Sequence, residues 1–177
     1  MKLKLLAASA VGSLTLAATP AMAQDGGAAA GAEVYVGASV GYHDIGTGIP
    51  GDDSGIYGVV AGVDVPVSET FFIGGEANYH LGDGAIDSEY GIAARVGIKT
   101  GGTKLYVKGG YQEVDFDLAK LLNGLPVPAG VDDTEGDYMV GVGADIGLSG
   151  DNVKLRVAAD TIAFDSTRVT AGVLFSF

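Results

Sequence analysis

The stretch Glu89-Tyr-Gly-Ile-Ala-Ala-Arg-Val-Gly-Ile-Lys99 decides the fold. Read with period two, Tyr90, Ile92, Ala94, Val96 and Ile98 share one side, and Glu89, Gly91, Ala93, Arg95, Gly97 and Lys99 share the other. Side chains alternate across a β-strand, so this segment makes one uncharged face and one face of charge and glycine. Its length suits a tilted strand crossing an outer membrane, which takes about 9 to 11 residues.

The same alternation recurs on both sides of this segment. Near 70–80, Phe71, Ile73, Gly75, Ala77 and Tyr79 oppose Phe72, Gly74, Glu76, Asn78 and His80. After Thr100-Gly-Gly-Thr103, Leu105, Val107, Gly109 and Tyr111 oppose Lys104, Tyr106, Lys108, Gly110 and Gln112. Comparable segments lie near 33–43, 56–65, 137–146, 153–162 and 168–177, which makes eight in all. The fold expected over 33–177 is all-β, an eight-stranded antiparallel up-and-down transmembrane β-barrel.

The uncharged faces carry no ionic side chain within these segments. Glu76, Arg95, Lys104, Lys108, Asp145, Lys154, Arg156 and Asp160 all take the opposite face. A soluble lipocalin-like barrel would reverse this, with charge outside and an apolar cavity inside. An Arg or Lys facing lipid at the midplane costs about 2–4 kcal/mol, which accounts for the exclusion. Charges enclosed in a narrow lumen need partners. The eight are therefore expected to form a lumen ion-pair network, with Glu76 diagonal to Arg95, and Asp145 facing Lys154 with Arg156 nearby. Inward glycines leave room for them, and the network is expected to plug the lumen.

Loop lengths and tyrosines set the topology. Short connections at 66–69, 100–102 and 149–152 read as periplasmic turns, whereas 44–55, 81–88, 113–136 and 163–167 read as outer loops, three of them clearly longer. Tyr42, Tyr79 and Tyr111 end odd strands, and Tyr57, Tyr90 and Tyr138 begin even ones. The six would form an aromatic girdle at one membrane interface. Phe71 and Phe177 would mark the opposite rim.

The N-terminus has Lys2 and Lys4, an apolar stretch from Leu5 to Ala18, and Thr19-Pro-Ala-Met-Ala23. This reads as a signal peptide over 1–23, followed by a short flexible segment over 24–32. The apolar run is too short for a membrane-spanning helix. Cysteine is absent, so an exported domain must be stable without disulfides. The formal net charge of -12 becomes about −14 without Lys2 and Lys4, and such a chain repels nucleic acid.

The C-terminal stretch Thr170-Ala-Gly-Val-Leu-Phe-Ser-Phe177 ends on an aromatic. Together with the leader, the eight alternating segments and the acidic loops, it resembles the small outer-membrane β-barrel family that includes opacity-type surface proteins and the membrane domain of outer-membrane protein A. The resemblance covers nearly the whole chain after the leader. It implies that Thr170, Gly172, Phe175 and Phe177 form an assembly signal read by the barrel-assembly machinery. The chain stops at its last strand, so no peptidoglycan-binding domain is expected.

Searching for chemistry yields little: the sequence has no CxxC, phosphate loop, HExxH or GxSxG. His43 and His80 are expected at the outer rim, facing inward, with Asp44 and Glu89 close. They could serve as a metal site or a general base, but the plainer reading is a solvated mouth, because the sequence fixes no serine or third ligand beside them. The outer loops carry Asp44, Asp52, Asp53, Asp83, Asp87, Asp115, Asp117, Asp132, Asp133, Glu135 and Asp165 without EF-hand spacing. Such loops could attract divalent cations, and a solvated surface is the plainer reading. Phe116, Leu118, Ala119 and Leu122 have helical spacing, which suits either a short amphipathic turn or a loop with its own apolar cluster.

The function expected is a non-enzymatic surface or envelope role: integrity, adhesion or loop-mediated recognition. The alternatives are a narrow pore for small solutes, or a rim-sited enzyme. No cofactor is expected. The expected partners are outer-membrane lipid, the assembly machinery and a ligand of the outer loops, with the barrel itself a monomer.

Overall fold

The computed structural model describes residues 31–46, 53–117, 134–148 and 152–177. The expected leader, most of the 24–32 segment, Asp52, Asp132, Asp133 and the 118–122 part of the expected helical turn lie outside these residues.

Eight antiparallel strands close on themselves in chain order: β1 (Glu33–Asp44), β2 (Asp53–Pro66), β3 (Phe71–Gly82), β4 (Ile86–Thr100), β5 (Thr103–Phe116), β6 (Thr134–Gly147), β7 (Val153–Ile162) and β8 (Ser166–Ser176). Strand β8 closes the barrel against β1 with Tyr35 opposite Ser176 and Asp44 opposite Thr167. The Phe177 amide donates to the Val34 carbonyl at 2.9 Å. Closure leaves no unpaired edge, which any barrel in hydrocarbon requires.

The two ends differ. At the turn end, Val67–Thr70, Gly101–Gly102 and 148–152 connect the strands. Gly101 and Gly102 have φ of 53° and 82°, the left-handed geometry of a tight hairpin that glycine adopts at little cost. At the loop end the connections are 45–52, 83–85, 117–133 and 163–165.

The second of these is much shorter than the 81–88 loop expected from sequence. Strand β2 extends to Asp53 and holds the turn: Asp83 donates to the Gly55 carbonyl at 3.0 Å, its side chain accepts from the Gly55 amide at 2.9 Å, and Ile86 donates to Ser54 Oγ at 2.9 Å. Phe116 likewise belongs to β5, so the helical spacing that begins there is not realised at its first position.

Burial follows the two-residue period. Val36, Val40, Val59, Ile73, Ile92, Val107, Val142 and Val157 are exposed on the outside, while Glu76, Arg95, Lys104, Asp145 and Arg156 are buried inside. The lumen is not wholly polar, however. Tyr35, Val60 and Leu174 cluster there, as do Ala93, Met139 and Ile162, and Phe72 is fully enclosed. These side chains occupy inward positions between the ionic groups, where a narrow barrel must be filled by side chains of some kind.

Candidate functional site

The outer surface presents six tyrosines toward the loop end. Pairing sets Tyr79 beside Tyr90 and Tyr111 beside Tyr138, and puts Tyr57 two residues from the partners of Tyr42 and Tyr79. Tyr111 and Tyr138 meet edge to face, with ring centroids 6.1 Å apart. Among the described residues, charge appears on this face at the loop end beyond the tyrosines, at Asp44, Asp53 and Glu113. The Tyr42 hydroxyl donates to Asp53 and the Tyr90 hydroxyl to Glu113. Each ring thus keeps an apolar body below and a polar tip above, the arrangement that suits a membrane interface. Phe71 and Phe177 are exposed at the turn end, and Phe175 points outward one step along β8, while Thr170 and Gly172 face the lumen.

Inside, six cations (Arg95, Lys104, Lys108, Lys154, Arg156 and Arg168) meet six carboxylates (Glu33, Asp64, Glu76, Glu89, Asp145 and Asp160). Near the turn end, Lys104 Nζ binds Glu33 at 2.8 Å and Asp64 at 2.6 Å, and Lys154 also donates to Glu33. Arg95 is the central hub. It reaches Asp64 at 3.2 Å, Glu76 at 3.1 Å and Asp145 at 2.8 Å, and its guanidinium lies 3.8 Å from the Tyr106 ring centroid. Arg156 joins Asp145 at 2.6 Å and also donates to Glu76. Lys108 connects Glu76, at 3.4 Å, to Asp160, at 3.2 Å. Arg168 continues to Asp160 at 2.8 Å and to Glu89 at 2.6 Å. The contacts form one unbroken chain of alternating charge from Glu33 at the turn end to Glu89 near the loop end.

One expected pairing is corrected. Asp145 stands opposite Arg156, and Lys154 stands opposite Gly147, one two-residue step from the expected register. Lys154 therefore serves Glu33. Glu76 is diagonal to Arg95, whose direct partner is Gly74. The sequence pattern puts Glu33, Asp64, Glu89 and Arg168 on the inner face without assigning them to the network. The signal that finds them is that same face, since a charge confined there has nowhere to go but a partner. Glycine makes the space: a side chain at Gly143 would collide with the Tyr106 ring, and one at Gly141 with the Asp160 carboxylate.

At the loop end of this chain, His43 Nδ1 lies 2.6 Å from Glu89 and His80 Nδ1 lies 3.4 Å from the other oxygen of that carboxylate. Each imidazole also has a serine: His43 Nε2 is 3.4 Å from Ser166 Oγ, and His80 Nε2 is 2.8 Å from Ser39 Oγ. The sequence does not reveal these partners, because Ser166 is 123 residues from His43. Among the described residues no group of three or more His, Asp or Glu is arranged to hold a metal ion. The loop carboxylates instead accept local hydrogen bonds: Asp44 from the Gly46 amide at 2.8 Å, and Asp115 from Ser88 at 2.9 Å and Thr134 at 2.6 Å.

Residues 9–177 match the family model described as outer membrane protein beta-barrel domain. Among solved structures, the chain is similar to Ail, the attachment invasion locus protein of Yersinia pestis, at 12% identity and a TM-score of 0.53, covering 82% of this chain and 97% of that one. Ail in complex with the heparin analogue sucrose octasulfate matches at 10% identity and a TM-score of 0.51, over 82% and 97% of the two chains. Neisserial surface protein A matches at 16% identity and a TM-score of 0.53, covering 85% of this chain and 99% of its own. No curated protein matches the sequence. An uncharged outer wall, a tyrosine level and an ionic interior in a closed eight-stranded sheet agree with the family match, and the chain belongs to the outer-membrane β-barrel domain family, whose members reside in the bacterial outer membrane.

Proposed function

We propose that this chain is exported by its N-terminal leader, that the barrel-assembly machinery inserts it through the β8 pattern of Thr170, Gly172, Phe175 and Phe177, and that it stands in the outer membrane as a monomer closed to solutes. Its role is exercised by the loop end at the cell surface, in envelope integrity, adhesion or recognition, and not by turnover. The observation that carries this reading is the continuous ion-pair chain from Glu33 to Glu89. Moving a solute along that axis would separate buried charges, and breaking one such pair costs about 3–5 kcal/mol. Purified barrel in a planar bilayer is expected to show no conductance above bare lipid. Steady open events would overturn the closed lumen and favour a narrow pore.

The surface partner suited to this rim is cationic. Among the described residues, six of the Lys and Arg side chains are buried in the lumen, and Lys99 sits near the turn end. The loop end displays Asp44, Asp53, Asp83, Glu113, Glu135 and Asp165. Sucrose octasulfate, the polyanion bound in one of the Ail structures, is therefore expected to leave this barrel unoccupied.

A further inference from the structure

His43 and His80 hang on one carboxylate and each has a serine, yet their surroundings differ. Glu89 at 2.6 Å can only accept, so Nδ1 of His43 carries a proton toward it, and the Nε2 atom faces Ser166 Oγ. Arg168, bound to the other Glu89 oxygen at 2.6 Å, keeps that carboxylate in place. At His80 the Nδ1 atom is shared between Glu89 at 3.4 Å and the Asn78 amide at 3.4 Å, so no single partner fixes its tautomer. A cavity of about 160 Å³ reaches His43 and Ser166 but not Ser39 or His80. Its other walls are apolar (Val114, Phe116, Ile162) and acidic (Glu135, Asp137, Asp165). Just before Ser166, Ala163 and Phe164 hold φ of 55° and 64°, a conformation costly for residues with side chains. Ser166 Oγ donates to the Ile162 carbonyl at 3.0 Å, which ties the serine to this turn.

We infer that Ser166 is an activated nucleophile that takes up an acyl group from a small ester with an apolar acyl chain and a cationic alcohol portion, with His43 as its base and Glu89 as the group that orients His43. The serine hydroxyl turns from Ile162 to His43. Its Oγ then bonds to the ester carbonyl carbon while Nε2 takes the hydroxyl proton. The carbonyl–oxygen bond to the alcohol breaks, and the proton passes from Nε2 to the departing alkoxide. The product is a serine ester and a free alcohol, with no oxidant or metal required. The Val114, Phe116 and Ile162 wall suits the acyl chain, and the three carboxylates suit the cation. This is a modification site at the mouth, separate from the surface role proposed above.

The test treats full-length folded barrel in detergent with p-nitrophenyl butyrate, and in parallel with a trimethylammonium-bearing butyrate ester, and reads intact mass and peptide maps. One butyryl group on Ser166 is expected, added faster from the cationic ester at low salt. S166A should lose it, S39A should keep it, and H43Q should slow it by about a hundredfold or more. The wild-type rate should rise with pH and level off once the imidazole is neutral, a readout that stands even if H43Q fails to fold. No butyryl on the wild type, equal labelling of S166A, or a rate that climbs with hydroxide without levelling would each overturn the inference.

Discussion

Along β5, Lys104 and Leu105 are neighbours in the chain and occupy opposite solvents. Lys104 is 5% exposed and holds two carboxylates, while Leu105 is 44% exposed and holds none. The outer face is stabilised by what it lacks, and any apolar side chain of moderate size serves there. The inner face depends on specific partners, because each buried charge is tolerable only while its counter-charge stays in place. The two surfaces should therefore fail differently. The inner one should be sensitive to the loss of individual groups, and the outer one to the gain of a charge.

Arg95→Leu should give the largest effect. It removes the guanidinium shared by Asp64, Glu76 and Asp145, and is expected to cost about 3–5 kcal/mol by urea unfolding of barrel reconstituted in vesicles. A loss below about 1 kcal/mol, the range of exposed pairs, would mean that water reaches the lumen freely. Next comes a charge on the outer wall. Val107→Arg, at a mid-strand position 52% exposed on the apolar side and four residues below Tyr111, should cost about 2–4 kcal/mol. Tyr138→Arg, at the tyrosine level, should cost about 0–1 kcal/mol. Equal costs at the two depths would place the hydrocarbon elsewhere. The Tyr111–Tyr138 coupling should be comparably small, about 0.5–1.5 kcal/mol in a double-mutant cycle through Leu.

The two faces were legible in the sequence because a strand allots successive side chains to opposite sides whatever the tertiary context. That is enough to place Arg95, Lys108 or Asp145, and every one of the six tyrosines. Register and strand ends depend on hairpin geometry instead. The pairing of Asp145 with Arg156 turned on the register of β6 against β7, and the 83–85 turn on support from Ser54 and Gly55 across the sheet. Inward Phe72 and Leu174 could be assigned to a face, but nothing local showed that they fill space among guanidinium groups. Least legible were the serines beside His43 and His80, since closure alone brings β8 to β1 and the lumen alone brings Ser39 to His80.

The central claim is that the uncharged face meets hydrocarbon and the ionic face is enclosed. The chain contains no cysteine, so single spin labels can be placed without background. Labels at Leu105, Val107, Val140 and Val142 are expected to collide readily with oxygen dissolved in lipid, and labels at Ala93 and Ala158 to be protected from it. Equal accessibility at the two sets, or protection of the first and exposure of the second, would contradict the account.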